Sequence, residues 1–258
     1  MLHCARHLSI LLPEPSLIAR VMPATSVNIE FETRELAVSR FLREKGAPVV
    51  APPGSLLAGP YVIDGLAVTL WPQIDHNKGD YEDEKALGDA ARSLRRVHEV
   101  LAAYPGELPS YKLRLEECHA ELQGQDGGAC ALPDDDRRFL LRTYDGLTER
   151  LARLDVREAP IHGDAHLGNV FFTADGPLWT DFETACIGPR EWDVAALPYL
   201  AAFPGLDMRV FSLMDPLRSV CVCVWCSALS DDAEKRAAAK HHLERLKEGF
   251  DGNSPCIS

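Results

Sequence analysis

Three observations predict an α+β chain of two unequal lobes. Two β-hairpin patterns, short apolar runs around turn residues, lie before residue 72. Beyond residue 85 the apolar residues recur at helical spacing through several long segments. At 258 residues and 46% hydrophobic content, the chain is large enough for one unit with a substantial core. The division is expected at residues 72 and 73. Residues 1–72 then form a small antiparallel-sheet lobe with one helix, and 73–258 a larger, mostly helical lobe.

The elements follow in order. His7 to Leu12 and Ser16 to Met22 read as strands around Pro13-Glu14-Pro15. Thr33 to Lys45 has Leu36, Ser39 or Phe41, and Leu42 on one helical face, with Gly46 as the stop. Tyr61 to Pro72 reads as a hairpin turning at Asp64-Gly65. Ala86 to Tyr104 is helical by its Leu87, Ala90, Ala91, Leu94, Val97 and Leu101 spacing, and Pro105-Gly106 ends it. Asp134 is a candidate cap for a helix carrying Phe139, Leu140, Tyr144, Leu147 and Leu151. Asp215-Pro216 reads as the start of a helix over Leu217 to Leu229, and Asp231 to Lys247 as a charged closing helix. The tail from Gly249 reads as frayed.

Chemistry concentrates in Ile161-His-Gly-Asp-Ala-His-Leu-Gly-Asn169 and Trp179-Thr-Asp-Phe-Glu183. The order His162-x-Asp164, Asn169, Asp181 is the H-x-D-x-x-x-x-N pattern of kinase catalytic loops, with the downstream Asp that holds magnesium. Moving a phosphoryl group to an alcohol needs the hydroxyl oriented, its proton received and the phosphate charge neutralised. Asp164 is the candidate for the first two tasks. Magnesium prefers oxygen ligands, which the Asn169 amide and the Asp181 carboxylate can supply. Glu183 lies two residues beyond Asp181, so in an extended segment both side chains share a side, a candidate supporting or second-metal group. Val170 to Phe172 and Pro177 to Trp179 flank these polar groups as a short hairpin.

His162-Gly-Asp-Ala-His-Leu-Gly-Asn-Val170 resembles the catalytic loop of the aminoglycoside phosphotransferase family, a protein-kinase-like group. Thr180-Asp-Phe-Glu183 and Gly188-Pro-Arg-Glu-Trp-Asp193-Val-Ala195 fit that family's two following segments, so the resemblance is specific over 161–197 and weaker from about residue 8. It implies a two-lobed protein-kinase-like fold and an ATP- or GTP-dependent, Mg2+-requiring phosphotransferase acting on a small-molecule alcohol. Asp193 then braces the catalytic loop, with His162 supporting it. Arg20 becomes the phosphate contact, the alternative being an outward-facing strand arginine. Glu35 becomes its carboxylate partner, with Glu30, Glu32 and Glu44 as competitors. Thr69, Leu70 and Trp71 mark the approach to the hinge that meets the base, Trp71 being a pocket wall or a packing residue. Against that pattern, the strand and Gly-rich loop expected before residue 8 are short or missing, with His3, Cys4 and His7 in their place. These three read as surface or local residues.

The charge bounds the partners. Residues 1–70 hold 6 Lys+Arg and 6 Asp+Glu, so the whole net charge of −12 belongs to residues 71–258. That argues against nucleic acid and mildly favours a neutral or cationic acceptor, such as an amino alcohol. No apolar run suggests a membrane partner. The eight cysteines, including Cys221, Cys223 and Cys226, form no zinc pattern and read as free thiols of a cytoplasmic protein. Two other readings stand beside the kinase. His162, Asp164 and His166 as ligands of a hydrolase metal lack a second His-rich segment. A catalytically weak kinase-like binding protein with a degenerate nucleotide lobe remains open. His98 reads as a packing or local hydrogen-bonding residue, and the acceptor site is expected in 74–85, 106–135 and 198–215.

Overall fold

The structure is a computed structural model and describes residues 7–14, 16–54, 58–124, 132–197, 199–227 and 233–249. The first lobe is one antiparallel sheet with a helix. Strands β1 (Leu8–Leu12) and β2 (Leu17–Pro23) form the first hairpin. Helix α1 (Ser26–Glu44) follows, then β3 (Tyr61–Ile63) and β4 (Leu66–Pro72) as the second hairpin. The sheet order is β1-β2-β4-β3, so β4 lies against the strand that carries Arg20.

Helix α1 begins seven residues before the expected Thr33. Thr25 caps it, its Oγ1 accepting from the Asn28 amide at 3.1 Å. The first turns read Val27-Asn28-Ile29-Glu30-Phe31-Glu32, an alternation of period two that hides the helical period. Its buried face is unusual, since Glu32 and Glu35 are buried beside Leu36, Val38 and Leu42. Buried carboxylates require partners, so this face already points to a site.

The second lobe contains α2 (Glu84–Leu101), α3 (Lys112–Gln123) and α4 (Asp134–Leu151). Short strands β5 (Ala159–Ile161), β6 (Val170–Thr173), β7 (Gly176–Trp179) and β8 (Cys186–Gly188) follow. Helices α5 (Arg190–Val194), α6 (Met208–Ser227) and α7 (Ala233–Lys247) complete it. β6 and β7 form the expected hairpin, while β5 and β8 pair Ile161 with Cys186. Trp179 joins the lobes: its amide donates to Pro48 O at 2.9 Å and its carbonyl accepts from Val50 N at 2.8 Å.

Two expectations change here, and one helix is added. α3 forms within 106–135, a stretch assigned to the acceptor site with no element placed in it. Tyr111, Leu115, Cys118 and Leu122 are its buried stripe, anchored to α4 by Tyr144 Oη donating to Leu115 O at 2.8 Å. Asp134 is the first residue of α4 and makes no side-chain cap; Pro133 holds the cap position. Asp215-Pro216 does not start α6, which begins at Met208 and carries Pro216 inside. Proline costs a helix hydrogen bond, but here Val210, Leu213, Met214, Leu217, Val220 and Val224 are buried, and that packing overrides the local signal. Asp215 is instead held by Arg245 of α7 at 2.7 Å.

By length and composition α6 passes as a membrane span, but most of it is packed inside the protein. The described cysteines, Cys118, Cys186, Cys221, Cys223 and Cys226, are free thiols, four of them buried. His3, Cys4, Leu229, Asp231 and the tail beyond Gly249 lie outside the described residues.

Candidate active site

The catalytic segment is held from behind by one buried carboxylate. Asp193 is fully buried on α5 and accepts from the His162 amide at 2.8 Å and the Gly163 amide at 2.9 Å. Its third partner is His98 Nε2 on α2 at 2.8 Å. Burial pushes the Asp193 carboxyl up, but His98 and the His162 amide outweigh it and leave it below the usual carboxylate range. His98 was read as a packing or local hydrogen-bonding residue; it is buried, and its hydrogen-bond partner lies 95 residues away rather than nearby. Trp192 Nε1 adds a bond to Gly163 O at 2.8 Å. Gly163 has φ +87°, and a Cβ there would lie 2.1 Å from Thr184 O, so only glycine fits.

His162 is fully buried between Trp179 and Phe182. Its Nε2 donates to Thr180 O at 2.9 Å, and its Nδ1 faces the Asp164 amide at 3.4 Å. Burial lowers its pKa and keeps the ring neutral, which suits one donating and one accepting nitrogen. His162 therefore ties the catalytic loop to the segment that carries Asp181.

Asp164, Asn169 and Asp181 line one cleft of about 1020 Å³, together with His7, His166 and Arg218. Burial pushes the Asp164 carboxyl up, but His166, Arg218 and Arg114 outweigh it and hold it well below the usual range. Arg218 Nη2 donates to Asp164 Oδ1 at 2.9 Å, and His166 Nε2 lies 3.7 Å from Oδ2. Asn169 donates its amide N–H to Asp164 O at 2.9 Å, leaving its Oδ1 as the end available to a cation.

Asp181 sits at φ +68°, a left-handed conformation costly for a residue with a side chain. Its Oδ1 is buried with no hydrogen-bond partner among the described residues. Burial and Glu183 push its carboxyl up to about 6, with Arg20 opposing. A buried, unpartnered carboxylate oxygen that shares a cleft with an amide oxygen is a donor set suited to a hard divalent cation. Glu183 departs from the extended geometry expected, because Phe182–Thr184 form a 3-10 turn. Its carboxylate instead faces Glu32 and His7, with one ligand atom from each of the three mutually within 4.8 Å.

In the first lobe, Arg20 Nη1 reaches both Glu35 oxygens at 2.9 and 3.0 Å. The competitors are placed elsewhere or differently engaged: Glu30 pairs with Arg34 at 2.8 Å and Glu32 with His7 at 2.6 Å. Burial alone lowers the Arg20 pKa, but Glu35 and Asp181 outweigh it and keep the guanidinium charged. Arg20 also lies 4.8 Å from the Trp71 ring centroid, so Trp71 packs behind it. Thr69, Leu70 and Trp71 are placed within β4 and are not among the cleft-lining residues. The Thr69 hydroxyl donates to Glu32 at 2.7 Å and accepts from Trp71 Nε1 at 3.1 Å, while Leu70 N donates to Ala58 O at 2.9 Å. His7 is a correction: it was read as a surface or local residue, yet it reaches Glu32 across 25 residues.

Arg218 and Arg114 were missed altogether. Arg218 carried a legible signal, as a cation inside the apolar run from Val210 to Trp225. Arg34, whose Nη1 donates to Glu183 O at 2.8 Å, had none.

The sequence matches the phosphotransferase enzyme family, APH, over residues 11–210. No curated protein matches it. Among solved structures, the amicoumacin kinase hAmiN, in complex with AMP-PNP, Ca2+ and Ami, superposes with a TM-score of 0.69 at 15% identity, covering 96% of this chain and 87% of that one. The GDP and kanamycin complex of APH(2")-IIIa gives 0.69 at 17% identity, covering 98% and 92%. Choline kinase LicA from Streptococcus pneumoniae gives 0.65 at 15% identity, covering 95% and 90%. Those likenesses establish a two-lobed protein-kinase-like fold, and the match over residues 11–210 shows that this chain belongs to the phosphotransferase enzyme family.

Proposed function

We propose that this chain transfers the γ-phosphoryl group of Mg2+-bound ATP or GTP to the hydroxyl of a small-molecule alcohol. The carrying observation is the convergence of Asp164, Asn169 and the unpartnered Asp181 oxygen on one cleft. Asp164 orients the acceptor hydroxyl and takes its proton as the oxygen–phosphorus bond forms and the bond to the nucleoside diphosphate breaks. Its low pKa makes it a weak base, which suits a loose transition state in which the proton leaves late. Asn169 and Asp181 hold the cation, with Glu183 behind them, and Arg20 supported by Glu35 faces the phosphates. When bound, magnesium neutralises charge on the phosphate oxygens. Thr69, Leu70 and Trp71 shape the strand that delivers the hinge.

The Asp164–Arg218 ion pair also favours a second reading, a kinase-like binding protein with weak catalysis, because it occupies the base. One assay separates the two. The full chain is incubated with magnesium, γ-labelled ATP or GTP, and alcohols of neutral, cationic and anionic character. Label appearing on an alcohol supports the phosphotransferase. Nucleotide binding with no transfer to any alcohol supports the binding protein.

A further inference from the structure

The two carboxylate oxygens of Asp164 are held differently. Oδ1 accepts from Arg218 Nη2 at 2.9 Å. Oδ2 has His166 Nε2 at 3.7 Å, beyond the length of a hydrogen bond. The Asp164 side chain is 30% exposed, and both it and Arg218 line the cleft. One oxygen is therefore tied to a cation, while the other is left to the cleft and its acceptor.

A tether fixes a carboxylate only if the tether itself is fixed. Arg218 is buried on α6, and its guanidinium lies 5.6 Å from the Trp192 ring centroid, within cation–π reach. The same ring donates from Nε1 to the carbonyl of Gly163, the residue before Asp164, at 2.8 Å. Trp192 thus joins the backbone of the catalytic loop to the side chain that holds its carboxylate. α6 is fastened to α7 around Arg218: Asp215 pairs with Arg245 at 2.7 Å, and Ser219 Oγ lies 3.1 Å from His242 Nδ1. Left alone, an aspartate side chain samples several rotamers; held at one oxygen, it keeps the other in one direction.

We propose that Arg218 is a positioning residue, holding Oδ1 so that Oδ2 of Asp164 faces the acceptor hydroxyl and takes its proton. The inference rests on the phosphotransferase reading of the same cleft. The proton passes from the hydroxyl to Oδ2 as the hydroxyl oxygen bonds to phosphorus and the bond to the nucleoside diphosphate breaks. Oδ1 is then the carbonyl oxygen of a neutral acid and still accepts from Arg218, which stays protonated. The ion pair accordingly occupies one oxygen of the base and leaves the other to react.

The test compares the full chain with Arg218→Met, which removes charge and donors at similar length, and Arg218→Lys, which keeps a charge and a donor. Phosphate release from magnesium ATP is followed, with water in the place of the alcohol, and crystal structures of the three proteins are determined. Arg218→Met is expected to lower turnover about tenfold to a hundredfold through misplacement of the base, with KM for ATP within about twofold of the parent. Arg218→Lys is expected to recover part of that loss, since one donor suffices for a bond to one oxygen. In the crystals Asp164 is expected in one conformation in the parent and in more than one in Arg218→Met. Unchanged turnover in Arg218→Met overturns the inference, as does a KM that rises in step with the loss, or a lysine variant no better than the methionine one. A single, unaltered Asp164 conformation in Arg218→Met overturns it whatever the turnover. If Arg218→Met does not fold, Arg218→Gln, too short to keep the contact, replaces it with the same expectations. A parent that releases no phosphate strikes the proposed function, and the crystals then still decide whether Arg218 holds Asp164.

Discussion

Asp164→Asn is expected to lower phosphoryl transfer by about 10²–10⁴-fold while leaving magnesium-nucleotide binding close to the parent value. The carboxamide keeps the shape and can still accept from Arg218, but it cannot take a proton. Asp164 is mostly buried, at 30% exposure, and faces the cleft, whereas the bonds holding that loop run through Asp193 and His162. The backbone that positions Asn169 is therefore expected to survive. Steady-state turnover with a working acceptor, paired with nucleotide calorimetry, checks both halves. Near-parental turnover would remove Asp164 from the base position, and loss of nucleotide binding would mean that the substitution collapsed the loop.

Asp193→Ala acts on the opposite side of the same loop, and its effect is on stability. The substitution strips partners from the His162 and Gly163 amides and from His98, all in the buried interior. Breaking such a set leaves buried donors and a histidine unpaired, at a cost of about 3–5 kcal/mol. For a chain of this size that lowers the melting temperature by roughly 10 °C or more. Asp193→Asn retains an acceptor oxygen and is expected to fall between the parent and the alanine variant. Scanning calorimetry of the three proteins gives the order directly. A melting temperature unchanged in Asp193→Ala would show that the loop is held by other contacts, with Trp192 Nε1 on Gly163 O the first to consider.

The contrast between these two aspartates shows what the sequence could and could not carry. The grouping of residues from His162 to Asp193 was legible because its parts are close in sequence and their spacing follows a motif of the family this chain belongs to. The two hairpins of the first lobe were legible for a similar local reason, a turn between alternating runs. Helix α3 was not read although Tyr111, Leu115, Cys118 and Leu122 carry a helical stripe, because its polar residues resemble a loop. Pro216 misled in the other direction: a strong local stop signal was overridden by burial along the whole of α6. Contacts across the fold left the weakest trace. Arg218 on Asp164 spans 54 residues, His98 on Asp193 spans 95, and His7 on Glu32 spans 25. A charged residue within an apolar run was the available sign of the first, while the others required the fold.

The lobe division at residues 72 and 73 remains our reading of where the hinge begins. It is supported by the end of β4 at Pro72 and by the backbone commitments of Thr69 to Trp71 within the sheet.

The central claim is that Asp181 and Asn169 hold the cation on which nucleotide binding depends. It is tested most directly by titrating the full chain and its Asp181→Ala variant with ATP and GTP, with and without magnesium, by calorimetry. The expected result is tighter nucleotide binding with magnesium in the parent and no magnesium effect in the variant. A magnesium effect of the same size in both proteins would contradict the account.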